Sequence, residues 1–240
     1  VTYRKNLCAF ATLRQKRIFQ RFPNHQGTRN TKRSMNRLQA IRWLVKPVVF
    51  VLALVPLALL LHSAVNDGLG ANPIETINRY TGDWTLRFLL ITLAVTPLRK
   101  LTGWQMLIRL RRMLGLFAFF YVCLHFLSWI WLDQYFDLDA MFKDVVKRPF
   151  ITLGFTCFVL LIPLAVTSTN AMVRRLGGRN WQRLHRLVYF IGIGGVVHFL
   201  WLVKSDITQP LIYGVILAAL LGFRLWDRRR QQTAAAPAMH

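Results

Sequence analysis

Three histidines lie inside long apolar runs of the sequence, where an imidazole is costly to bury unless it binds or hydrogen-bonds something. His125 follows FAFFYVCL, and His185 and His198 lie 13 residues apart in WQRLHRLVYFIGIGGVVHFLW. Helix bundles can bind a flat metallocofactor between histidines of different segments, and here two histidines lie on one segment and one on another. The residues therefore predict a heme iron site, with these three histidines as candidate ligands.

The segments that position these histidines have the composition of membrane-spanning helices. The chain is 54% hydrophobic with a mean hydropathy of +0.35, which indicates the membrane class. A spanning helix needs about 20 apolar residues, and the apolar runs do not alternate as strands would. The sequence predicts an all-α integral membrane protein, a bundle of six transmembrane helices with heme held between the third and fifth. The six predicted segments are 47–65, 84–98, 113–132, 150–169, 184–203 and 211–225.

The charged residues predict the orientation of the bundle. Of the 32 Lys and Arg residues, 26 fall in the N-terminal stretch, the second and fourth connections and the C-terminal end, whereas 8 of the 9 acids fall on the other side. By the positive-inside rule, both termini are cytoplasmic and the acidic loops face outward. The net charge of +23 is therefore explained by topology and membrane lipid, and no nucleic-acid partner is predicted.

The depth of each histidine predicts which of them form a pair. With a rise of about 1.5 Å per residue, His125 lies roughly 20 Å along the third helix, and His198 lies roughly 20 Å beyond His185 on the parallel fifth helix. His125 and His198 thus share a depth in the outer half of the membrane and can be the axial pair of a heme b. The alternatives are histidines that only hydrogen-bond within the core, and a zinc site, for which no further Cys, His or carboxylate lies at that depth.

His185 lies near the inner surface without a histidine partner. The residue at the matching position of the third helix is Arg111, which can pair with a heme propionate or a flavin phosphate. We expect His185 to serve an inner heme or electron entry. An ideal helix would separate His185 and His198 by about 140°, so a distortion is expected at Gly192, Gly194 and Gly195.

The chain has no nucleotide-binding sequence motif of its own. Neither GxGxxG at a strand–helix junction nor GxxxxGK[ST] occurs, so electrons must come from a quinol or another protein. This predicts an electron-transfer subunit of an oxidoreductase complex rather than its catalytic subunit. The predicted domains are a basic cytoplasmic tail (1–46, disordered or an extension before Met35), a transmembrane domain (47–226) and a cytoplasmic C-terminal tail (227–240).

Six stretches of the sequence resemble one known family. They are LIRLRRMLGL (107–116), LHFLSW (124–129), AVTSTNAM (165–172), NWQRLHRLVY (180–189), VHFLW (197–201) and QPLIYG (209–214). In this order they are similar to the MsrQ (YedZ) family, within the ferric-reductase-like transmembrane superfamily. Members are heme-binding membrane subunits of the bacterial periplasmic protein-methionine-sulfoxide reductase system. The similarity covers roughly residues 36–228.

The resemblance implies cofactors, partners and ligands. It implies heme b and also FMN, electron uptake from the quinone pool or a cytoplasmic flavin reductase, and delivery to a periplasmic molybdopterin-containing catalytic subunit. The family's ligand histidines correspond to His125, His185 and His198, and Arg111 stands where eukaryotic relatives have a fourth histidine. It also implies the bacterial inner membrane as the location.

Two other functions remain open at this stage. One is a self-sufficient transmembrane ferric or superoxide reductase of the cytochrome b type, and the other is a transporter or scaffold without a cofactor. The outward acids Asp133, Asp137, Asp139 and Asp144 are candidate docking residues for a soluble partner, or simply follow the charge topology.

Overall fold

A computed structural model describes residues 41–203 and 206–235 of the chain. The chain divides into two compact units, 1–49 and 50–240. The described part of the first is a π-helical turn, Ile41–Val45, and the start of α1; the predicted tail up to residue 40, including Met35, lies outside the described residues. The helices are α1 (Lys46–Val65), α2 (Pro73–Thr102), α3 (Leu107–Ser128, continued by a π-helical turn Trp129–Asp133), α4 (Leu138–Lys147), α5 (Pro149–Val166), α6 (Asn170–Leu176), α7 (Gly178–His185), α8 (Leu187–Leu202) and α9 (Thr208–Ala235).

The predicted all-α membrane architecture is confirmed in its main features. The described residues contain helices and no strand, and five helical segments are long and apolar enough to cross a membrane. These segments are Trp43–Val65, Leu107–Asp133, Pro149–Val166, Gly178–Leu202 and Thr208–Thr233. The second predicted segment, 84–98, lies within α2, which does not meet the same criterion of composition. α9 continues to Ala235, beyond the predicted domain boundary at 226.

α2 is longer than its apolar stretch because both ends carry strong capping features. The side chain of Asn72 accepts a hydrogen bond from the Glu75 amide, and Pro73 stands at the first helical position. At the other end Gly103 adopts a left-handed conformation with φ of 71°, and its N–H donates to the Arg99 carbonyl. The resulting 30-residue helix projects beyond its apolar middle at both ends.

The core of the bundle lies where α2 packs along α3. Phe88 of α2 stacks on Phe117 and Tyr121 of α3, with ring centroids 5.8 and 5.2 Å apart, and Trp84 lies 6.4 Å from Tyr121. Phe88, Phe117 and Tyr121 are buried. α2 also contacts α8 and α9, while α5 packs on α8. α2 therefore contacts three other long helices, α3, α8 and α9.

A side-chain hydroxyl of α3 forms hydrogen bonds with backbone groups of α1 next to the proline of α1. Pro56 interrupts the ladder of backbone bonds in α1. Tyr121 inserts there: its hydroxyl accepts from the Leu57 amide at 3.2 Å and donates to the Ala53 carbonyl at 2.8 Å. The hydroxyl of Tyr80 donates to the carbonyl of Pro56 at 3.1 Å. Two neighbouring helices thus satisfy backbone groups of α1.

The predicted fifth helix is interrupted beside His185. Arg186 forms a turn between α7 and α8, so that His185 ends α7 whereas His198 lies within α8. The distortion that separates the two histidines therefore occurs at Arg186. We expected this distortion at Gly192, Gly194 and Gly195, and that position was wrong, because all three glycines lie inside the uninterrupted helix α8.

These glycines serve the packing of α8. A Cβ on Gly192 would meet Leu217 of α9 and Leu93 of α2 at 3.4 and 3.6 Å, and one on Gly194 would lie only 2.5 Å from the Cys157 sulfur of α5. Only at Gly194 is the approach too close for a Cβ, whereas a Cβ on Gly192 would make ordinary van der Waals contacts.

The two ends of the bundle differ in charge. The connections 66–72 and 134–148, together with 203 and 206–207, lie at one end, which we call the acidic end, and 103–106 and 167–186 lie at the other, the basic end. At the basic end Lys100 of α2 forms an ion pair with Asp227 of α9. Asp227 is the one acid outside the predicted outward group, and it is neutralised here.

Candidate cofactor site

A cavity of about 500 Å³ lies among α2, α3, α5 and α8 and contains two of the three histidines. Its walls are mainly apolar, with Phe126 and Phe158 stacked at 4.4 Å on one side. Cavities of about 300–1,000 Å³ lined by apolar groups with few polar ones are typical of cofactor sites. His125 and His198 are among the polar groups of this cavity, so the structure brings together the two histidines that depth predicts as a pair.

His125 of α3 lies against the backbone of α2. Its Nδ1 is 3.0 Å from the carbonyl oxygen of Asn78, with the Thr81 hydroxyl 3.5 Å away. Four residues after Asn78, Gly82 faces the ring: a Cβ there would lie 3.1 Å from Cε1 and 3.2 Å from Nδ1. Because a carbonyl only accepts, Nδ1 must carry the proton, and Nε2 has a free lone pair.

His198 of α8 is held in the same way by α5. Its Nδ1 lies 2.6 Å from the carbonyl oxygen of Phe150, and Gly154 follows four residues later. A Cβ on Gly154 would lie 2.8 Å from the ring's Cε1 and 2.9 Å from Nδ1, closer than real Cβ contacts. A carbonyl and a glycine one helical turn apart thus form a seat for each imidazole, and each seat leaves Nε2 unprotonated and able to bind a metal.

The separation of the two rings suits axial ligation of a single iron. Their centroids are 6.4 Å apart and their planes make an angle of 75°. An imidazole–metal bond is about 2.0 Å and the centroid lies about 1.1 Å behind the nitrogen, so two imidazoles on opposite sides of one iron would place their centroids roughly 6.2 Å apart. The residues present therefore fit a bis-histidine heme. Among the described residues, no group of three His, Cys, Asp or Glu side chains is arranged to hold a metal ion.

The cavity opens toward the acidic end between two arginines. Arg79 of α2 and Arg148, just before α5, line both the cavity and an adjoining groove of about 1090 Å³. Their side chains are 53% and 57% exposed, and each pairs with a carboxylate one turn away, Glu75 and Asp144 respectively. These are the cations at the cavity, and a porphyrin bound there would have carboxylates to match them.

Sequence reasoning did not identify the two glycine seats or the two arginines. These glycines and arginines are far from His125 and His198 in the sequence. They come close to the two imidazoles only because α2 and α5 pack beside the helices that carry the histidines. The sequence gives one signal for the seats, a glycine on an apolar helix, and this signal by itself indicates only close packing.

His185 lies outside the cavity, near the basic end. Its ring stacks on Trp181 with centroids 3.9 Å apart, and its Nε2 is 3.1 Å from the hydroxyl of Thr167. Trp181 in turn donates from its indole nitrogen to the Thr167 carbonyl at 2.8 Å. The structure thus separates His185 from the other two histidines and places it in a small network of its own.

Arg111 lies in the same region, close enough to His185 for its charge to act on the imidazole. A second guanidinium, Arg224 of α9, is close enough to interact with Arg111. Arg224 donates to the Tyr189 hydroxyl at 2.8 Å and to the Leu93 carbonyl at 2.6 Å. Arg111, Arg112 and Arg224 thus bring three cations near one imidazole at the basic end of apolar helices, a setting that favours an anionic group.

Comparison with known proteins shows what the chain is similar to. Residues 81–196 match the family described as ferric reductase like transmembrane component. This range includes α3, α5 and most of α2 and α8, with His125, Gly82, Phe150 and Gly154, whereas Asn78 and His198 lie just outside it.

Full-length relatives are similar over most of their length. A protein-methionine-sulfoxide reductase heme-binding subunit MsrQ from Herminiimonas arsenicoxydans is 58% identical over 198 residues, covering 80% of this chain and 91% of that protein. The protein of the same name from Azospira oryzae is 55% identical over 187 residues, with 78% and 80% covered. That from Rhodospirillum rubrum is 54% identical over 190 residues, with 79% and 91% covered.

Proposed function

The chain belongs to the MsrQ family of protein-methionine-sulfoxide reductase heme-binding subunits, and on that premise we propose that it is a heme b electron-transfer subunit. Electrons enter from the respiratory quinone pool or a cytoplasmic flavin reductase. They leave to a periplasmic molybdopterin-containing subunit that reduces methionine sulfoxide in oxidised proteins. The chain itself is a relay, and the catalytic site for methionine sulfoxide lies on the partner.

The observation that carries this proposal is the pair of seated imidazoles. His125 and His198 would hold the iron through Nε2, while Asn78 and Phe150 fix the opposite nitrogen of each ring. A heme held by two axial imidazoles supplies one-electron transfer without an open position for oxygen chemistry. Arg79 and Arg148 at the open end would receive its propionates.

We assign electron entry to the residues gathered at the basic end. His185 and Arg111 would bind an inner cofactor, either a second heme or FMN, with Arg111 pairing with its propionate or phosphate. The support is the concentration of positive charge there, where Arg224 adds to Arg111. The hydrogen bond between Thr167 and Nε2 of His185 leaves Nδ1 as the free ring nitrogen.

For the topology we propose six membrane spans, with α2 as the second. Its length of 30 residues corresponds to about 45 Å, more than the hydrocarbon thickness of about 30 Å. Its charged residues are paired: Asp83 bonds to Arg87 at 2.5 Å and accepts from the Tyr213 hydroxyl at 2.6 Å. Such pairing is expected where charges face protein rather than lipid, and it explains the less apolar composition of α2.

The charge difference between the ends supports an inner-membrane protein with both termini in the cytoplasm. The acidic end then faces the periplasm, and the groove beside Arg79 and Arg148 lies on the side where the catalytic subunit acts. The proposed domains are the basic tail 1–46, the transmembrane domain 47–226 and the C-terminal tail 227–240.

The test is reconstitution with defined donors and acceptors. Protein in lipid vesicles, supplied with a reduced quinone or a flavin reductase and reduced flavin, should support reduction of methionine sulfoxide by the molybdopterin-containing subunit. His198→Ala should abolish this transfer and His62→Ala, an exposed histidine of α1, should not. Transfer that is unchanged in His198→Ala would contradict the proposal.

A self-sufficient ferric or superoxide reductase is the second candidate function. The groove at the open end of the cavity favours it, because a small oxidant could approach there. It predicts rapid reduction of ferric chelates by the protein alone, whereas the relay function predicts that electrons are released at a useful rate only to the partner.

A further inference from the structure

The short helix α4 has exposed apolar and exposed polar residues on separate sides. It begins at a defined point, because the carboxylate of Asp137 accepts hydrogen bonds from the amides of Asp139 and Ala140 at 3.0 and 3.1 Å. It ends at Lys147, and the chain continues into α5 after Arg148. The hydropathy of the sequence did not predict this helix, since it is too short to cross a membrane.

One half of the exposed face of α4 is entirely apolar. Leu138, Phe142 and Val146, each four residues after the last, are 77%, 70% and 65% exposed. Residues spaced by four lie along one line of a helix, so they form a continuous apolar stripe. Met141 and Val145 adjoin the stripe on its inner side and are half-buried. Three large apolar residues in a row at this exposure are unfavourable in water.

The other half of the exposed face is charged and already neutralised. Asp139 forms an ion pair with Lys143 one turn away, and Lys147 is exposed on the same side. Asp144 turns inward and pairs with Arg148 at 2.9 Å, and its side chain is only 12% exposed. Three of the four acids that the sequence offered for docking a soluble partner, Asp137, Asp139 and Asp144, therefore have partners within α4 and its flanks.

The surroundings of α4 indicate what covers the apolar stripe. α4 packs on α5 and follows the end of α3, two helices that are long and apolar enough to cross a membrane. Between α3 and α4, Trp131 and Tyr135 are 58% and 76% exposed, and aromatic residues of these types gather at membrane–water boundaries. The stripe thus lies beside two helices apolar enough to span a membrane and beside exposed aromatic residues of the types found at its boundary.

We propose that α4 lies in the plane of the membrane surface at the acidic end, with Leu138, Phe142 and Val146 in the lipid and the Asp139–Lys143 side in water. An amphipathic helix in this position buries its apolar face about 5–10 Å into the boundary of headgroups and acyl chains. Because Arg148 follows α4 directly, the lipid contact sets the level of this arginine, and with it the open end of the cavity, at the membrane surface.

The experiment compares two neighbouring positions of α4 by spin labelling. Phe142→Cys and Lys143→Cys are made in a background in which Cys8, Cys123 and Cys157 are replaced by alanine, labelled with a nitroxide, and reconstituted in vesicles of phosphatidylethanolamine and phosphatidylglycerol. Collision with oxygen, which concentrates in lipid, is compared with collision with a water-soluble nickel chelate. The readout requires no bound heme, so it can fail or succeed independently of the electron-transfer function.

We expect the oxygen-to-nickel ratio at residue 142 to exceed that at residue 143 by at least about fivefold, given an apolar face about 5–10 Å below the surface. Equal, nickel-dominated ratios at both positions would overturn the proposal, because the stripe would then lie in water. A label at 142 that is shielded from both reagents would also overturn it, since a second copy of the chain or another protein would then cover the stripe.

Discussion

At the scale of single residues, the site depends on how each imidazole is seated. His125 and His198 are held by the same device on two different helices: a backbone carbonyl that binds Nδ1 and, one turn later, a glycine that leaves room for the ring. The carbonyl selects the tautomer and the glycine allows the close approach. The position of each of these two imidazoles therefore depends on the position of the helix that packs against it.

We predict that Gly154→Ala reduces heme content by at least about half while the protein still folds. The added Cβ would lie 2.8 Å from Cε1 of His198, so the ring must leave its seat and the hydrogen bond to Phe150 must lengthen. Heme per protein, from the pyridine hemochrome assay, is the measurement. Gly222→Ala is the matched control, since a Cβ there meets nothing within 4 Å. Equal heme content in both variants would show that the seat does not matter.

At the scale of the elements, hydropathy predicted the positions of the long helices well. The segment 47–65 corresponds to α1 within one residue, and 150–169 overlaps nearly all of α5. Hydropathy failed to predict the features that depend on helix capping or on an amphipathic pattern. α2 begins 11 residues before the predicted segment because its start depends on capping at Asn72, and α4 was missed because its apolar residues form only a stripe.

The same limit explains what could be predicted of the site. Matched depth on parallel helices was sufficient to pair His125 with His198, because depth follows from counting residues along a helix. The seats at Gly82 and Gly154 could not be predicted, because they require knowledge of which helix lies beside which. The turn at Arg186, which separates His185 from His198, carries no glycine or proline to indicate it.

A test at this scale concerns the contact between α1 and α3. Tyr121→Phe should lower the stability of the bundle by about 1–3 kcal/mol, because the Leu57 amide and the Ala53 carbonyl lose the hydroxyl that serves both. The measurement is thermal unfolding in detergent, compared with Tyr135→Phe, whose ring is 76% exposed. An unchanged Tm in Tyr121→Phe would mean that water or another group satisfies the backbone of α1.

At the scale of the whole molecule, charge and chemistry are arranged along one axis. His125 and His198 lie toward the acidic end, whereas His185, Arg111 and Arg224 lie toward the basic end. This arrangement suits a relay that takes electrons from one side of a membrane and releases them on the other. It also makes the orientation of the chain essential to the proposed direction of transfer.

The orientation can be tested by labelling. Ala71→Cys at the acidic end should react with a membrane-impermeant maleimide in spheroplasts, whereas Arg179→Cys at the basic end should react only after permeabilisation, because the positive loops stay in the cytoplasm. Labelling of the unmodified chain measures the background from its own cysteines. The reverse pattern would contradict the proposed direction of transfer.

The central claim, that His125 and His198 are the axial ligands of one heme, is tested most directly by the reduced-minus-oxidised visible spectrum of the purified protein. We predict that His125→Ala and His198→Ala each lose most of the heme absorbance, whereas His185→Ala keeps the absorbance of the heme between His125 and His198, and the exposed-residue control His62→Ala keeps all of it. Retention of heme in His125→Ala, or equal loss in His125→Ala, His185→Ala and His198→Ala, would contradict the account.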